Sequence, residues 1–262
     1  MNLIHMMTEI HSRDNRIYKE CQKLSQKKYR DRLGLYLIEG YHLIGEAPLE
    51  QLCYAVVRKG ETPPAIPEES LFFMDADLFD RLAQTETSQG VIAVMRKNLW
   101  ETDLLRSVCG AGKNLVVLDR LQDPGNIGTI IRTAEGAGYG AVAVLKGTGD
   151  VFSPKTIRAA AGSVFRIPII HVEDNRELRQ LADDLGKTLV VTCFDTDTYY
   201  FDEDLSADVA LVIGNEGRGV SSELLQMADV KVKIPMEGRL ESLNASVAAG
   251  ILMYEGCRKN IK

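Results

Sequence analysis

Six short apolar runs in residues 114–262 constrain the fold of this chain more than any other feature of its sequence. The runs are mostly apolar and occupy residues 115–118, 141–145, 167–172, 189–192, 209–213 and 230–234. Helices are predicted between and after them, at 126–137, 155–162, 175–185, 221–227 and 242–257. Apolar strands that alternate with helices are typical of a parallel sheet covered on both faces. The sequence therefore predicts an α/β domain over residues 114–262.

The first 97 residues show the same alternation in shorter units. Strands are predicted at 35–38, 52–57, 71–74 and 91–95, and helices at 41–46 and 77–83. This pattern predicts a small α/β domain. Residues 98–113, with Gly110 and Gly112 near their end, are predicted to link it to the larger domain. The predicted organisation is a domain at 1–97, a linker at 98–113 and a domain at 114–262.

A basic segment near the N-terminus stands out in a chain whose net charge is −6. Residues 13–32 contain eight Lys and Arg against three acids. Ile17, Cys21 and Leu24 have helical spacing there, which predicts an amphipathic helix with a basic exposed side. That side is either an ordinary solvated face or a surface for RNA phosphates, formed by Arg13, Arg16, Lys23, Lys27 and Arg30.

A glycine-rich loop follows the apolar run at 209–213, at a strand end where open α/β sheets place their ligands. It reads GNEGRG from Gly214 to Gly219, and its glycines allow the backbone to approach a ligand closely. The GxxGxG spacing differs from the GxGxxG dinucleotide fingerprint, and no Lys-Ser or Lys-Thr pair follows it as in a Walker loop. The loop is therefore either a ligand loop of another kind or a plain turn between strand and helix.

A second polar loop follows the apolar run at 230–234. Ser242, Asn244 and Ser246 come at its end, where the last helix is predicted to begin. Helix N-termini carry unpaired N–H groups that short polar side chains cap. Ser242 is therefore either a simple N-cap or part of a site.

A third polar segment, residues 119–135, follows the first strand of the larger domain. A Pro-Gly turn is predicted there, and Asn126 is placed to cap the helix after it. Gly128, Arg132 and Glu135 fall on one face of that helix. Arg132 could hold a phosphate or act on a nearby hydroxyl. An ordinary Arg132–Glu135 salt bridge explains the same spacing equally well.

Several other functions are disfavoured by the sequence. No run approaches the roughly 18 apolar residues of a membrane span, and the N-terminus lacks the basic start of a secretion signal. The five cysteines are scattered without metal-ligand spacing, so we expect free thiols in a reducing cytoplasm and no metal. No His lies near the three polar loops, which argues against a Ser/His/Asp hydrolase.

Three segments resemble, in order and spacing, the three motifs of the SpoU (TrmH-like) RNA 2′-O-ribose methyltransferases of the SPOUT superfamily. They are DRLQDPGNIGTIIRTAEGAG at 119–138, LVIGNEGRG at 211–219 and IPMEGRLESLNASVAAGILMYE at 234–255. The N-terminal part is similar to the family's appended RNA-binding domain, with RDR at 30–32, LIEG at 37–40 and TSQGVIAV at 87–94. Ala245 and Ser88 depart from the family pattern, in which Val and Pro are common, and neither departure touches the chemistry.

The resemblance implies a fold, a cofactor and a set of site residues. The implied fold is an α/β SPOUT domain with a mostly parallel sheet and a C-terminal trefoil knot, beside a small N-terminal α/β RNA-binding domain. The implied cofactor is S-adenosylmethionine, at the positions that match Gly214, Glu216, Ile234, Met236 and Leu243. The family's catalytic arginine falls on Arg132, accompanied by Asn126, Glu216, Ser242 and Asn244.

The implied activity is methylation of a ribose 2′-hydroxyl in RNA by a cytoplasmic homodimer that needs neither a metal nor a membrane. Ribosomal RNA is the expected substrate, since the additional N-terminal domain resembles those of the rRNA members. Transfer RNA is the alternative substrate. A non-catalytic RNA-binding or assembly factor that retains the fold is the alternative class of protein.

Overall fold

The computed structural model describes residues 8–85, 87–98, 100, 106–238 and 242–258 of the chain. The chain divides into two units, one of residues 1–99 with 152–157 and one of residues 100–151 with 158–262. Part of the predicted linker, residues 99 and 101–105, lies outside the described residues. Cys109, near the end of that linker, is fully buried in the core of the second unit.

A mixed five-stranded sheet forms the centre of the first unit. Its strands are β1 (Thr8–Ile10), β2 (Leu35–Glu39), β3 (Leu52–Arg58), β4 (Leu71–Met74) and β5 (Val91–Arg96). They lie in the order β1-β4-β3-β5-β2. β4 is parallel to β1 and β3, whereas β5 is antiparallel to β2 and β3. The predicted strands are all present, and only β1 was not predicted.

The helices of this unit differ from the prediction at the basic segment. They are α1 (Arg16–Leu24), α2 (Lys27–Leu33), α3 (Tyr41–Glu46) and α4 (Ala76–Phe79), with 3-10 turns at Leu49–Gln51 and Glu68–Ser70. Two helices therefore replace the single basic helix. α1 buries Cys21 and Leu24, as their spacing predicted.

Arg30 does not lie on the exposed basic face. Its side chain is buried, with 4% of the residue exposed, and its Nη1 donates to the carbonyl of Leu24 at 2.7 Å. Because α1 ends at Leu24, that carbonyl has no helical partner, and a guanidinium satisfies it. Arg13, Arg16, Lys23 and Lys27 are exposed.

A six-stranded sheet forms the centre of the second unit. Its strands are β6 (Leu115–Leu118), β7 (Ala141–Leu145), β8 (Ile169–Val172), β9 (Thr188–Thr192), β10 (Val209–Ile213) and β11 (Val230–Val232). They lie in the order β11-β9-β10-β6-β7-β8, and every neighbouring pair is parallel. All residues of β6, β7 and β10 are buried. The predicted α/β fold with a mostly parallel sheet is therefore confirmed.

Helices occupy the regions predicted within residues 114–262, and all except the one at Asn175 begin at a different residue than predicted. They are α5 (Pro124–Gly136), α6 (Pro154–Ala160), α7 (Asn175–Asp184), α8 (Ser222–Met227) and α9 (Ala245–Arg258), with a 3-10 turn at Ser163–Phe165. No helix in the described part of the chain is both long and apolar enough to cross a membrane.

One predicted helix cap is wrong, and the alternative of Ser242 as a simple N-cap is not observed. The N-cap of α5 is Asp123, whose Oδ1 accepts from the N–H of Asn126 at 3.0 Å. In α9 the capping side chain is that of Asn244, whose Oδ1 accepts from the N–H of Ser246 at 2.9 Å, and not that of Ser242. Pro124 explains the first difference, since proline suits the first position of a helix and moves its start before Asn126. The side chain of Asn126 is thereby left for other contacts.

Candidate functional site

The order of the strands brings two distant loops together. β6, β7 and β8 extend the sheet in one direction, whereas β10 lies on the other side of β6. Leu118, the last residue of β6, pairs with Ile213, the last residue of β10. The loops after β6 and β10 therefore leave the same edge side by side, at a point where the strand order reverses. Open α/β sheets bind ligands at such points.

A cavity of about 380 Å³ opens at this edge. It is lined by residues at and after the ends of three strands and by residues at the start of α9. They are Thr192, Cys193, Phe194, 213–219, Val232, Lys233, Ile234, Met236, Ser242, Leu243, Ala245 and Ala248. All five predicted cofactor residues, Gly214, Glu216, Ile234, Met236 and Leu243, are among them. A volume of this size suits a small organic ligand.

The segment at the end of β9 was missed by the sequence prediction. Thr192, Cys193 and Phe194 line the cavity although no motif covers them. They could have been found because open α/β sheets bind ligands at the carboxyl ends of their strands, and β9 ends at the same edge as β10 and β11.

The loop at 214–219, here called the GNEGRG loop, is closed by its own hydrogen bonds. Asn215 and Gly219 exchange backbone hydrogen bonds of 3.1 and 2.9 Å, and Oδ1 of Asn215 accepts from the N–H of Gly217 at 3.1 Å. A Cβ on Gly214 would lie 2.3 Å from the nitrogen of Val220, so the turn requires glycine there. The loop is held in a defined shape beside the cavity.

Three predicted polar residues form one chain of hydrogen bonds. Nδ2 of Asn244 donates to Oδ1 of Asn126 at 2.9 Å, and Nδ2 of Asn126 donates to Oε1 of Glu216 at 3.2 Å. Asn126 is buried, with 9% of the residue exposed. The structure thus joins one residue from each of the three polar segments. We call this chain of side chains the Asn244–Asn126–Glu216 network.

The two ends of this network determine the orientation of its amides. A charged carboxylate only accepts hydrogen bonds, so Asn126 must turn its Nδ2 toward Glu216 and its Oδ1 toward Asn244. Asn244 must then donate through Nδ2, and its Oδ1 is free to cap α9 by accepting from the N–H groups of Ser246 and Val247. A carboxylate at one end and a helix N-terminus at the other therefore allow only one arrangement.

Backbone donors hold the Glu216 carboxylate in its charged form. Partial burial tends to raise the pKa of Glu216. The hydrogen bonds from its own backbone N–H, from the side chain of Asn126 and from the N–H groups of Asp123 and Gln122 lower the pKa, and together they outweigh the effect of burial. The result is a pKa below the ordinary value of 4.5. The N–H groups of Gln122 and Asp123 each donate across 3.2 Å. The carboxylate is thus charged at neutral pH.

The remaining predicted residues are placed differently. Ser242 lines the cavity, but no contact of its side chain with the network is observed among the described residues. Arg132 is exposed on α5, does not line the cavity, and forms no hydrogen bond or ion pair within the described part of the chain. The alternative Arg132–Glu135 salt bridge is not formed, because Glu135 pairs instead with Arg166.

The rim of the cavity carries charges of both signs. Glu216, Arg218 and Lys233 are all among its lining residues. Nζ of Lys233 lies 3.9 Å from a carboxylate oxygen of Asp197 and 5.3 Å from the centre of the Tyr199 ring. Apolar side chains, among them Ile234 and Leu243, cover other parts of the lining. This combination suits a ligand that has both an apolar ring and charged groups.

Comparison with known proteins relates both parts of the chain to one group of enzymes. Residues 113–254 match the family model of the SpoU rRNA Methylase family, and residues 15–93 match that of an MRM3-like substrate binding domain. The 23S rRNA (guanosine(2553)-2′-O)-methyltransferase RlmP of Bacillus subtilis (strain 168) is 35% identical over 257 residues, which cover 95% of this chain and 98% of that protein.

Two further proteins resemble nearly the whole chain. A 23S rRNA (uridine(2479)-2′-O)-methyltransferase of Streptomyces viridochromogenes is 30% identical over 267 residues, which cover 96% of this chain and 92% of that protein. The crystal structure of an AdoMet-bound rRNA methyltransferase from Sinorhizobium meliloti superposes with a TM-score of 0.85 at 30% identity, covering 97% of this chain and 99% of that one.

The lowered pKa of Glu216 predicts a dependence of stability on pH. A carboxyl group whose pKa is lower in the folded state stabilises the protein above the unfolded pKa and loses that effect as the pH falls through the folded pKa. In Glu216→Gln this contribution is absent. We expect the difference in unfolding free energy between wild type and Glu216→Gln, measured in urea, to be constant near neutral pH and to shrink below about pH 4.5.

Glu237→Gln is the matched control, because Glu237 is an exposed glutamate of the loop after β11. Its stability should follow that of the wild type at every pH. A difference between wild type and Glu216→Gln that does not change with pH would show that the network does not depend on the charge of Glu216.

Proposed function

This chain belongs to the SpoU rRNA methylase family, and we propose that it transfers a methyl group from S-adenosylmethionine to a ribose 2′-hydroxyl of ribosomal RNA. The observation that carries this proposal is the Asn244–Asn126–Glu216 network at the edge of the cavity. It brings together polar residues of all three motifs, and Asn244 lies 118 positions from its partner Asn126 in the sequence. A binding protein that merely retained the fold would have no need of this arrangement.

The chemistry requires alignment and removal of a proton. Bound S-adenosylmethionine supplies an electrophilic methyl group on a sulfonium. A ribose hydroxyl is a weak nucleophile until it loses its proton, so the protein must hold it in line with the donor and favour its ionised form. We assign the holding of the cofactor to the backbone of the GNEGRG loop and to Ile234, Met236 and Leu243, which line the cavity.

Arg132 is assigned the stabilisation of the reacting hydroxyl. Arginine is a cation in proteins, so Arg132 favours the alkoxide form electrostatically and can hold the adjacent phosphate through its fork of donors. Asn126, Glu216, Ser242 and Asn244 are assigned the orientation of the ribose. The fixed direction of the amides in the network means that each presents a defined donor or acceptor.

A homodimer completes the site in this proposal. Arg132 is exposed and lies outside the cavity of its own chain, which supports a role at the cavity of a second copy. The proposal includes a trefoil knot in the C-terminal segment. It is supported by the two successive loops after β10 and β11, which both contribute to one cavity.

The first unit is assigned the recognition of RNA. Its match to a substrate binding domain supports this role, as do the exposed basic side chains of Arg13, Arg16, Lys23 and Lys27. Both full-length relatives are named as 23S rRNA enzymes, which favours ribosomal over transfer RNA. Action on the ribosome places the protein in the cytoplasm.

Replacement of Arg132 tests the catalytic assignment. Arg132→Ala should lower the rate of methyl transfer by at least about a thousandfold, because it removes the charge that favours the ionised hydroxyl. Its affinity for S-adenosylmethionine, measured by calorimetry, should stay within about twofold of the wild type, because Arg132 is assigned to the hydroxyl and phosphate of the RNA and not to the cofactor. The substrate is ribosomal RNA from a strain that lacks this protein.

Arg176→Ala is the control for this experiment, because Arg176 is an exposed arginine on α7 and also lies outside the cavity. It should methylate as fast as the wild type. Normal turnover by Arg132→Ala would overturn the assignment. Failure of the wild type to bind S-adenosylmethionine would favour a non-catalytic RNA-binding factor instead.

The basic face of the first unit predicts a salt dependence of RNA binding. The triple variant Arg13→Gln, Arg16→Gln, Lys23→Gln should bind ribosomal RNA more weakly, because it loses three candidate phosphate contacts. The slope of log affinity against log salt concentration should become shallower by about 2 to 3, since each contact contributes about 0.9. Filter binding at several salt concentrations measures this slope.

A second triple variant, neutralising Lys146, Arg176 and Arg258, serves as the matched control because it removes the same charge from the second unit. We expect its slope to remain close to that of the wild type. Equal slopes for the wild type and the first triple variant would mean that the basic face is exposed to solvent and does not contact RNA phosphates.

A further inference from the structure

Arg120 has a backbone conformation that arginine rarely adopts. It follows β6 with a φ of +57°, in the left-handed region where a Cβ is unfavourable. Such a residue persists where the surrounding contacts impose its conformation, and these contacts can indicate function. Here the N–H of Arg120 donates to Oγ1 of Thr148 at 3.0 Å, and its carbonyl accepts from Nδ2 of Asn215 at 2.8 Å. The second of these bonds leads directly to the GNEGRG loop.

A buried carboxylate holds the side chain of Arg120. Asp119 has 2% of its surface exposed, and its two oxygens accept from Nε of Arg120 at 2.8 Å and from Nη2 at 3.1 Å. The same carboxylate accepts from the N–H of Ser221 at 2.8 Å, just beyond the GNEGRG loop. A two-point contact between a guanidinium and a carboxylate fixes both position and orientation. The guanidinium is thus held against one end of that loop.

The guanidinium reaches the loop itself. Nη2 of Arg120 donates to the carbonyl of Gly219 at 3.4 Å, and that carbonyl also accepts the N–H of Asn215 that closes the loop. Arg120 therefore contacts both ends of the loop, Asn215 through its carbonyl and Gly219 through its side chain. Neither Asp119 nor Arg120 lines the cavity.

We propose that Asp119 and Arg120 form a positioning pair that presets the GNEGRG loop for S-adenosylmethionine and so determines the affinity for this cofactor. The proposal rests on the function proposed above. A loop already held in its bound shape loses less conformational freedom on binding, which strengthens affinity. The pair acts through the loop and does not touch the reacting atoms.

Binding and catalysis should separate when this pair is broken. The carboxylate of Glu216 is held by the N–H groups of Gln122 and Asp123 and by the side chain of Asn126, none of which depends on the side chain of Arg120. Loss of the guanidinium should therefore loosen the ends of the loop while the network keeps its arrangement. The KM for S-adenosylmethionine should rise while kcat at saturation stays unchanged.

The test compares Arg120→Ala with Arg120→Lys. We expect Arg120→Ala to bind S-adenosylmethionine about tenfold more weakly by calorimetry, with a similar rise in KM and a kcat within about twofold of the wild type. Arg120→Lys retains the ion pair with Asp119, but a single ammonium cannot reproduce the fork that also reaches Gly219. It should keep the thermal stability of the wild type and still bind the cofactor more weakly than the wild type.

Arg179→Ala is the matched control, because Arg179 is also a partly buried arginine held by carboxylates, Asp183 at 2.6 Å and Asp229 at 2.8 Å. Asp229 precedes β11, so this cluster lies at the opposite edge of the sheet from the cavity. Arg179→Ala should lose stability and keep both KM and kcat.

Two results would overturn the positioning role. One is a cofactor affinity of Arg120→Lys equal to that of the wild type together with an unchanged KM. The other is a fall in kcat of the Arg120 variants without a rise in KM, as expected if Arg120 only stabilises the fold. Absence of any cofactor binding by the wild type would instead refute the proposed function, so the two failures are distinguishable.

Discussion

The carboxylate of Glu216 connects the two loops on which the site depends. It belongs to the loop after β10 and accepts hydrogen bonds from Gln122, Asp123 and Asn126, which follow β6. Because a carboxylate only accepts, it determines the direction of the amide of Asn126 and, through it, that of Asn244. A single charged group thereby aligns residues that lie 90 and more positions apart in the chain.

The parallel sheet makes this connection possible. β6 and β10 are neighbours although the chain visits three other strands between them. Their last residues, Leu118 and Ile213, are in register, so their loops emerge at the same height. The buried residues of both strands supply a rigid base. The strands can therefore hold the polar residues at their ends in accurate positions. A reaction that depends on alignment requires such accurate placement.

Local pattern was sufficient to predict most of the strands, because a strand buried on both faces must be apolar along its length. It was also sufficient to place polar loops after those strands, at the strand ends where open α/β sheets bind ligands. It could not predict that Asn126 leaves the capping of α5 to Asp123, since both residue types are good caps. Nor could it show that Arg30 is buried, because that depends on where α1 ends. The roles of Asp119 and Arg120 depend on burial and on a left-handed φ, which no spacing reveals.

The most direct test is a map of ribose 2′-O-methylation across the ribosomal RNA of a strain that lacks this protein and of its parent. We expect a methylated ribose that is present in the parent, absent from the deletion strain, restored by the wild-type chain and not restored by Asn126→Ala, which breaks the network at its centre. Identical methylation in the deletion strain and its parent would refute the proposed activity, and full restoration by Asn126→Ala would refute the role of the network.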